Sequence, residues 1–170
     1  QPNVLYARRE GHFYDFSGVS GIDCAEDSRS FAVTDFDGDG NLDVLLKSRL
    51  GPQVRAFRNA WGSGRNAIAF DLQGMQSNRD AIGARVEVEC AGRLTVKTLQ
   101  AGSGYLSQHT KRLHFGLGDS NEARQIRIRW PSGTIQAFEN LPAGFRYRIL
   151  EGSNEITRAP FLARGNPQPQ

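Results

Sequence analysis

Several things are scarce in this chain, and each scarcity narrows what it can be. Cysteine occurs only at positions 24 and 90, so covalent cross-linking is limited to one bridge. No uncharged apolar run is long enough to cross a bilayer, which leaves no membrane span. No stretch keeps an apolar 3.6-residue period through three turns, which argues against a major helix. There is no Gly-x-Ser-x-Gly elbow, His-Glu-x-x-His, dinucleotide fingerprint or phosphate-binding P-loop. The three histidines offer little more. His114 stands between Leu113 and Phe115 in a strand-like run, where a packed imidazole is expected. His109 has Ser103 and Ser107 nearby in sequence, but a working pair also needs spatial convergence and an orienting third group. The chain opens at Gln1 with neither an initiator methionine nor a signal peptide, which reads either as a mature secreted product or as a cut piece.

What is present begins with turns. Nineteen glycines and seven prolines punctuate short apolar runs, the pattern of many strands joined by tight connections. Residues 35–43 read Asp-Phe-Asp-Gly-Asp-Gly-Asn-Leu-Asp. Asp35, Asp37 and Asp39 alternate, Gly40 permits a sharp turn, and Asp43 closes the segment. Calcium takes 6–8 oxygen ligands, and this spacing offers those carboxylates plus the backbone carbonyl of Asn41. Four aspartates in nine residues would repel one another without a cation. An EF-hand is excluded, because its twelfth position here is Leu46 and not a bidentate glutamate. The alternative is an acidic hairpin that binds nothing, since Asp and Gly favour turns on their own. Flanks of Ser30-Phe-Ala-Val-Thr and Leu42-Asp-Val-Leu-Leu place the loop between two strands.

Asp-x-Asp-x-Asp-Gly-x-x-Asp between two strands resembles the calcium loop of FG-GAP/VCBS repeats. Val4-Leu-Tyr-Ala-Arg-Arg-Glu-Gly-His-Phe-Tyr-Asp-Phe upstream resembles the strand–turn–strand that ends such a repeat. Further on, Ser77-Asn-Arg-Asp-Ala-Ile-Gly-Ala-Arg-Val is similar to the opening of the ASPIC/UnbV domain. That domain's later landmarks follow in order as Gly102-Ser-Gly-Tyr-Leu-Ser-Gln, Leu113-His-Phe-Gly-Leu-Gly-Asp and Arg129-Trp-Pro-Ser-Gly. The two resemblances together cover about residues 4–150. They imply a secreted, calcium-stabilised, mostly β protein with no established reaction.

The expected fold is all-β: a propeller-blade-like calcium unit over 1–61, a sandwich or barrel over 66–150, and a tail over 151–170. Strands are expected at 4–9, 12–17, 29–35, 42–48, 53–59, 66–73, 81–90, 93–100, 111–116, 124–130, 134–139 and 145–150. Ala91-Gly92 reads as a tight hairpin turn and Pro131-Ser-Gly as another. The glycine-rich link at 61–65 is read as a linker, because strand and not helix follows it. The Pro-Gln tail from Gly165 is expected to be extended and mobile, or docked.

Charge is unevenly spread. Residues 1–46 hold nine acids and three bases, while residues 47–170 hold eighteen bases and nine acids. Eighteen of the twenty-one bases are arginine. Most alternate with apolar residues, as on the solvated face of a sheet, with an anion or glycan site as the alternative. Cys90 falls in phase with Ile82, Ala84, Val86 and Val88 and should point inward. In an extracellular setting Cys24 and Cys90 suggest a disulfide between the modules, the alternative being two unrelated thiols.

The expected function is a secreted, non-catalytic calcium module in adhesion or self-assembly, with calcium held by Asp35, Asp37, Asp39, Asn41 and Asp43. Its partners would be further copies of itself, through an oligomer or a strand-exchanged filament, with the segment 4–9 the most readily donated. Nucleic acid is not expected. The alternatives are a glycan- or matrix-binding part of a larger secreted propeller, with arginines, Tyr105 or Trp61 in contact, and lastly a hydrolase.

Overall fold

The computed structural model describes residues 2–61 and 66–162; Gln1, most of the glycine-rich link and the Pro-Gln tail lie outside the described residues. The chain is nearly all β. Strands β1 (Tyr6–Arg9) and β2 (His12–Asp15) form a hairpin, followed by a single helical turn, α1 (Ser17–Ser20). Strands β3 (Ser28–Thr34), β4 (Asp43–Ser48) and β5 (Val54–Phe57) make an antiparallel three-stranded sheet, and residues 35–42 are the β3–β4 connection. The eight remaining strands begin with β6 (Asn66–Gln73), β7 (Arg85–Cys90), β8 (Arg93–Thr98) and β9 (Leu113–Gly118). They continue with β10 (Glu122–Arg129), β11 (Ile135–Pro142), β12 (Phe145–Leu150) and β13 (Ile156–Pro160).

Eight of these strands form two four-stranded sheets, ordered β11-β10-β7-β8 and β13-β12-β6-β9. They pack as a sandwich and do not close into a barrel. Strands alternate side chains between faces, so Val86, Val88, Ile126 and Ile128 of one sheet meet Ile68, Phe70, Phe115, Tyr147 and Ile149 of the other. Trp130 closes one end of this core. Among the described strands only β12 with β6 is parallel, and the crossover between them contains the other sheet. The Ala91-Gly92 hairpin has positive φ at both residues, 49° and 72°, as a two-residue primed turn requires.

Three expectations need correction. Residues 81–84 are a turn and not the start of β7: Asn78 takes the Ile82 amide on its side-chain oxygen and the Ala81 amide on its carbonyl, both at 2.8 Å. A strand beyond residue 150 was not expected, yet β13 pairs antiparallel with β12 from Ile149↔Ile156 to Phe145↔Pro160. Its edge position, with two exposed side chains in the middle and a terminal proline, hides the usual alternation. The disulfide is absent. Cys24 and Cys90 are free thiols, the first beside Ile22 and Asn3, the second inside the sandwich 3.6 Å from the Leu117 and Glu122 carbonyls.

The segment 4–9 is also less free than expected. It is paired with β2, and the Leu5 amide donates to Ser17 Oγ at 2.9 Å. Non-covalent contacts join the two units. Thr110 N–H donates to the Val33 carbonyl at 2.9 Å, and the Leu162 amide donates to the Gly38 carbonyl at 2.7 Å. Val33 N–H donates to His109 Nδ1 at 3.2 Å, so that imidazole is engaged with the backbone, and Ser107 Oγ has no hydrogen-bond partner among the described residues.

Candidate metal centre

The loop between β3 and β4 coils because its own carboxylates gather its amides. Asp35 Oδ2 accepts from Gly40 N–H at 3.0 Å, and Asp37 Oδ1 accepts from Asp39 N–H at 3.2 Å. Asp39 Oδ1 accepts from both the backbone and side-chain amides of Asn41, at 2.8 and 2.6 Å. Gly38 and Gly40 have φ of 76° and 89°, a left-handed backbone that glycine adopts at little cost. Coiling brings one carboxylate oxygen from each of Asp35, Asp37 and Asp39 within 4.8 Å of the others.

Asp43 is placed differently. Its two oxygens accept from Phe36 N–H at 3.2 Å and Asn59 N–H at 2.7 Å, tying the loop to the segment after β5. Burial raises its pKa; the hydrogen bonds from Asn59 and Phe36 oppose this, and the charges of Asp37 and Asp39 add to the rise. The structure therefore brings three of the expected aspartates together and gives the fourth a bracing position.

Two side chains at the site were not anticipated. Arg58 Nε donates to Asp37 Oδ2 at 2.5 Å, and its Nη2 lies 3.5 Å from Asp39 Oδ2. The antiparallel pairing of Val44 with Phe57 puts Arg58 next to Asp43, so the β4–β5 hairpin carried a signal for it. His114 of β9 carried none, being distant in sequence. Its Nε2 lies 3.6 Å from Asp35 Oδ2, with both side chains almost wholly buried. Burial lowers the His114 pKa, and the Asp35 charge pulls the other way.

The residues fit a hard cation. Asp35 Oδ1 is buried without a hydrogen-bond partner among the described residues, a costly state for a carboxylate that a cation would relieve. The converging donors are all oxygen, the set that calcium prefers to softer metals. The loop is also clasped from the second unit. A Cβ on Gly40 would come within 2.7 Å of the Phe161 ring, and one on Gly38 within 3.1 Å of Leu162. Phe161 in turn stacks on His114, with ring centroids 6.4 Å apart.

A cavity of about 430 Å³ opens on the other side of Asp43 and Arg58, lined by apolar groups such as Leu5, Phe16, Val19, Val44, Phe57 and Trp61. Trp61 packs edge-on against Phe16 at 5.6 Å. Tyr105 is exposed elsewhere and does not line it. No helix among the described residues is long and apolar enough to cross a membrane.

Comparison with known proteins bears mainly on the second unit. Residues 74–156 match the family model described as ASPIC and UnbV. The chain is 31% identical to cartilage acidic protein 1 of Homo sapiens over 122 residues, covering 70% of this chain and 18% of that protein. It is 33% identical over 107 residues to the protein of the same name from Xenopus tropicalis, covering 61% of this chain and 16% of that one. The chain thus spans less than a fifth of the length of these curated relatives. The ASPIC/UnbV resemblance and the kinship with cartilage acidic protein hold, while these matches do not show the FG-GAP/VCBS likeness.

Proposed function

We propose that the chain is a secreted, non-catalytic β-module whose Asp35–Asp43 loop binds Ca²⁺, and that it serves in adhesion or self-assembly. One observation carries the metal reading: the buried, unpartnered Asp35 Oδ1 beside two further converging carboxylates. Asp35, Asp37 and Asp39 would hold the ion through side chains and Asn41 through its carbonyl. Asp43 belongs to the same set, since each of its oxygens keeps a lone pair beyond the one used by Phe36 or Asn59. Bound calcium supplies positive charge that lets the aspartates stay ionised while buried. The chain's own contribution is the coil of backbone that presents them and the Phe161–Leu162 clasp that excludes water. Arg58 half-neutralises Asp37 and Asp39, and being partly exposed it can swing aside as the ion enters.

Adhesion or self-assembly is supported by what the first unit leaves uncovered. Val4, Tyr6, Phe13, Tyr14, Val19 and Val54 are exposed on the first unit, with Val19 at the apolar cavity, and its short sheets have open edges. Secretion is supported by the kinship with cartilage acidic protein. Calorimetric titration of verified metal-free protein tests the metal reading: one Ca²⁺ per chain is expected, with Mg²⁺ a poor substitute because it keeps its waters. No calcium heat together with an unchanged melting temperature would overturn it. Light scattering in calcium tests assembly, for which a monomer at all concentrations is the contrary result.

A further inference from the structure

The two outer faces of the sandwich carry arginine in different company. On β7 and β10 the bases have acids beside them: Arg85 lies 3.1 Å from Glu87, and Arg124 3.7 Å from Glu89. That is an ordinary solvated face. The outer face of β12 and its neighbours has no such balance. Phe145, Tyr147 and Ile149 of β12 point toward the core, so Arg146 and Arg148 point out, about 7 Å apart along the strand. Their neighbours in register are short: Ala159 and Thr157 on β13, Ala69 and Asp71 on β6. Long side chains between short ones leave an open trough of about 340 Å³, completed by Arg112 and Arg158.

Three outward guanidiniums, those of Arg112, Arg146 and Arg148, meet one carboxylate there, and that carboxylate is taken. Asp71 accepts from Arg112 Nε and Nη2 at 2.8 and 2.9 Å, a two-pronged pair. Among the described residues no acid forms an ion pair with Arg146, Arg148 or Arg158. Arg148 is nonetheless held in place. It donates to Gln73 Oε1 at 2.6 Å, whereas Arg158, at the trough's edge, turns its guanidinium to the core side of the sheet, over the Phe145 ring, 4.5 Å from its centroid. Positioned, unneutralised guanidiniums on a concave surface suit planar oxyanions, which they grip through two N–H groups at once.

We infer that this trough binds the sulfate or carboxylate groups of a linear acidic polysaccharide. The trough is open and runs along a strand, so it suits a chain bearing successive anionic groups better than an enclosed small molecule. Nucleic acid is disfavoured because no aromatic ring lines the trough for a base to stack on. The inference stands on this face alone and does not need calcium at the loop.

The test uses the full chain and immobilised heparin, hyaluronan, fully desulfated heparin and single-stranded DNA of matched charge, in low salt. Binding to heparin or hyaluronan is expected, the pair telling a sulfated from a carboxylated source. Arg146→Ser with Arg148→Ser should weaken it about tenfold or more and lower the slope of log affinity against log salt by about two. Arg127→Ser with Arg129→Ser removes the same charge from the other face and should change affinity by less than about threefold, by the weakness of screened distant charge. The lysine pair Arg146→Lys with Arg148→Lys keeps charge without the fork and should fall between, and it serves if the serine pair folds poorly. Equal losses from both faces, DNA binding as tight as that of the glycans, or no binding to either acidic glycan would overturn the inference.

Discussion

The two halves of this molecule are built on different terms. In the sandwich, Ile68, Phe70, Val86, Ile126, Ile128 and Ile149 are fully buried, and two sheets cover one another. In residues 2–61 the only buried apolar side chain is Leu46, while Ser17, Asp35, Asp43 and Ser48 are buried polar groups. The first unit therefore cannot rely on apolar burial, which is the main favourable term in folding. It is held by hydrogen bonds of the acidic loop, by docking against β9 and the end of β13, and on our reading by calcium. Folding of the sandwich should be indifferent to the metal, and order in the first unit should depend on it.

The largest effect that sharpens this contrast is loss of core volume. Phe70→Ala should cost about 4 kcal/mol, equally in calcium and in chelator, read by urea unfolding. A cost that varies with calcium would mean the two halves share one core.

Glu151 gives the next effect. It sits buried after β12, where one oxygen accepts from the amides of Met75, Gln76 and Ser77 at 2.7, 2.8 and 2.7 Å. The other accepts from the hydroxyls of Ser77 and Ser132 at 2.8 and 2.5 Å. Burial alone would raise its pKa, but these hydrogen bonds outweigh it and hold the carboxyl at about 2, below its ordinary 4.5. A depressed folded-state pKa means the stabilisation is complete above pH 4.5 and is lost as pH falls toward 2. Glu151→Gln should therefore cost about 3 kcal/mol at pH 7, as loss of charged hydrogen bonds does, and should flatten the fall between pH 5 and 2.5. Urea titrations at these three pH values read both effects.

Gly40→Ala should cost about 2 kcal/mol, from left-handed backbone strain and collision with Phe161, and should weaken calcium binding. Arg58→Gln is the smallest and has the opposite sign. Removing the competing cation should tighten calcium about threefold, the scale of one partly exposed ion pair, measured by calorimetry. Weaker binding instead would show that Arg58 helps build the site.

The sequence made the sandwich legible wherever alternation was strong, as in Ile126, Ile128 and Trp130, or where a turn was forced, as at Ala91-Gly92. It failed where another force overrode the pattern. The Asn78 side chain bends residues 81–84 away from a strand, and β13 is ordered by pairing with β12 more than by its own apolar content. At the acidic loop, the gathering of Asp35, Asp37 and Asp39 followed from their spacing. The bracing position of Asp43 and the approach of His114 could not be read, because both depend on partners that only tertiary packing supplies.

Hydrogen exchange followed region by region, in saturating calcium and then in chelator, tests the contrast most directly. The amides of β3, β4 and the acidic loop, with Phe161 and Leu162, should slow markedly when calcium is added, while those of β6, β7 and β10 stay as they were. Exchange that is unchanged everywhere, or slowed equally in both halves, would contradict the account.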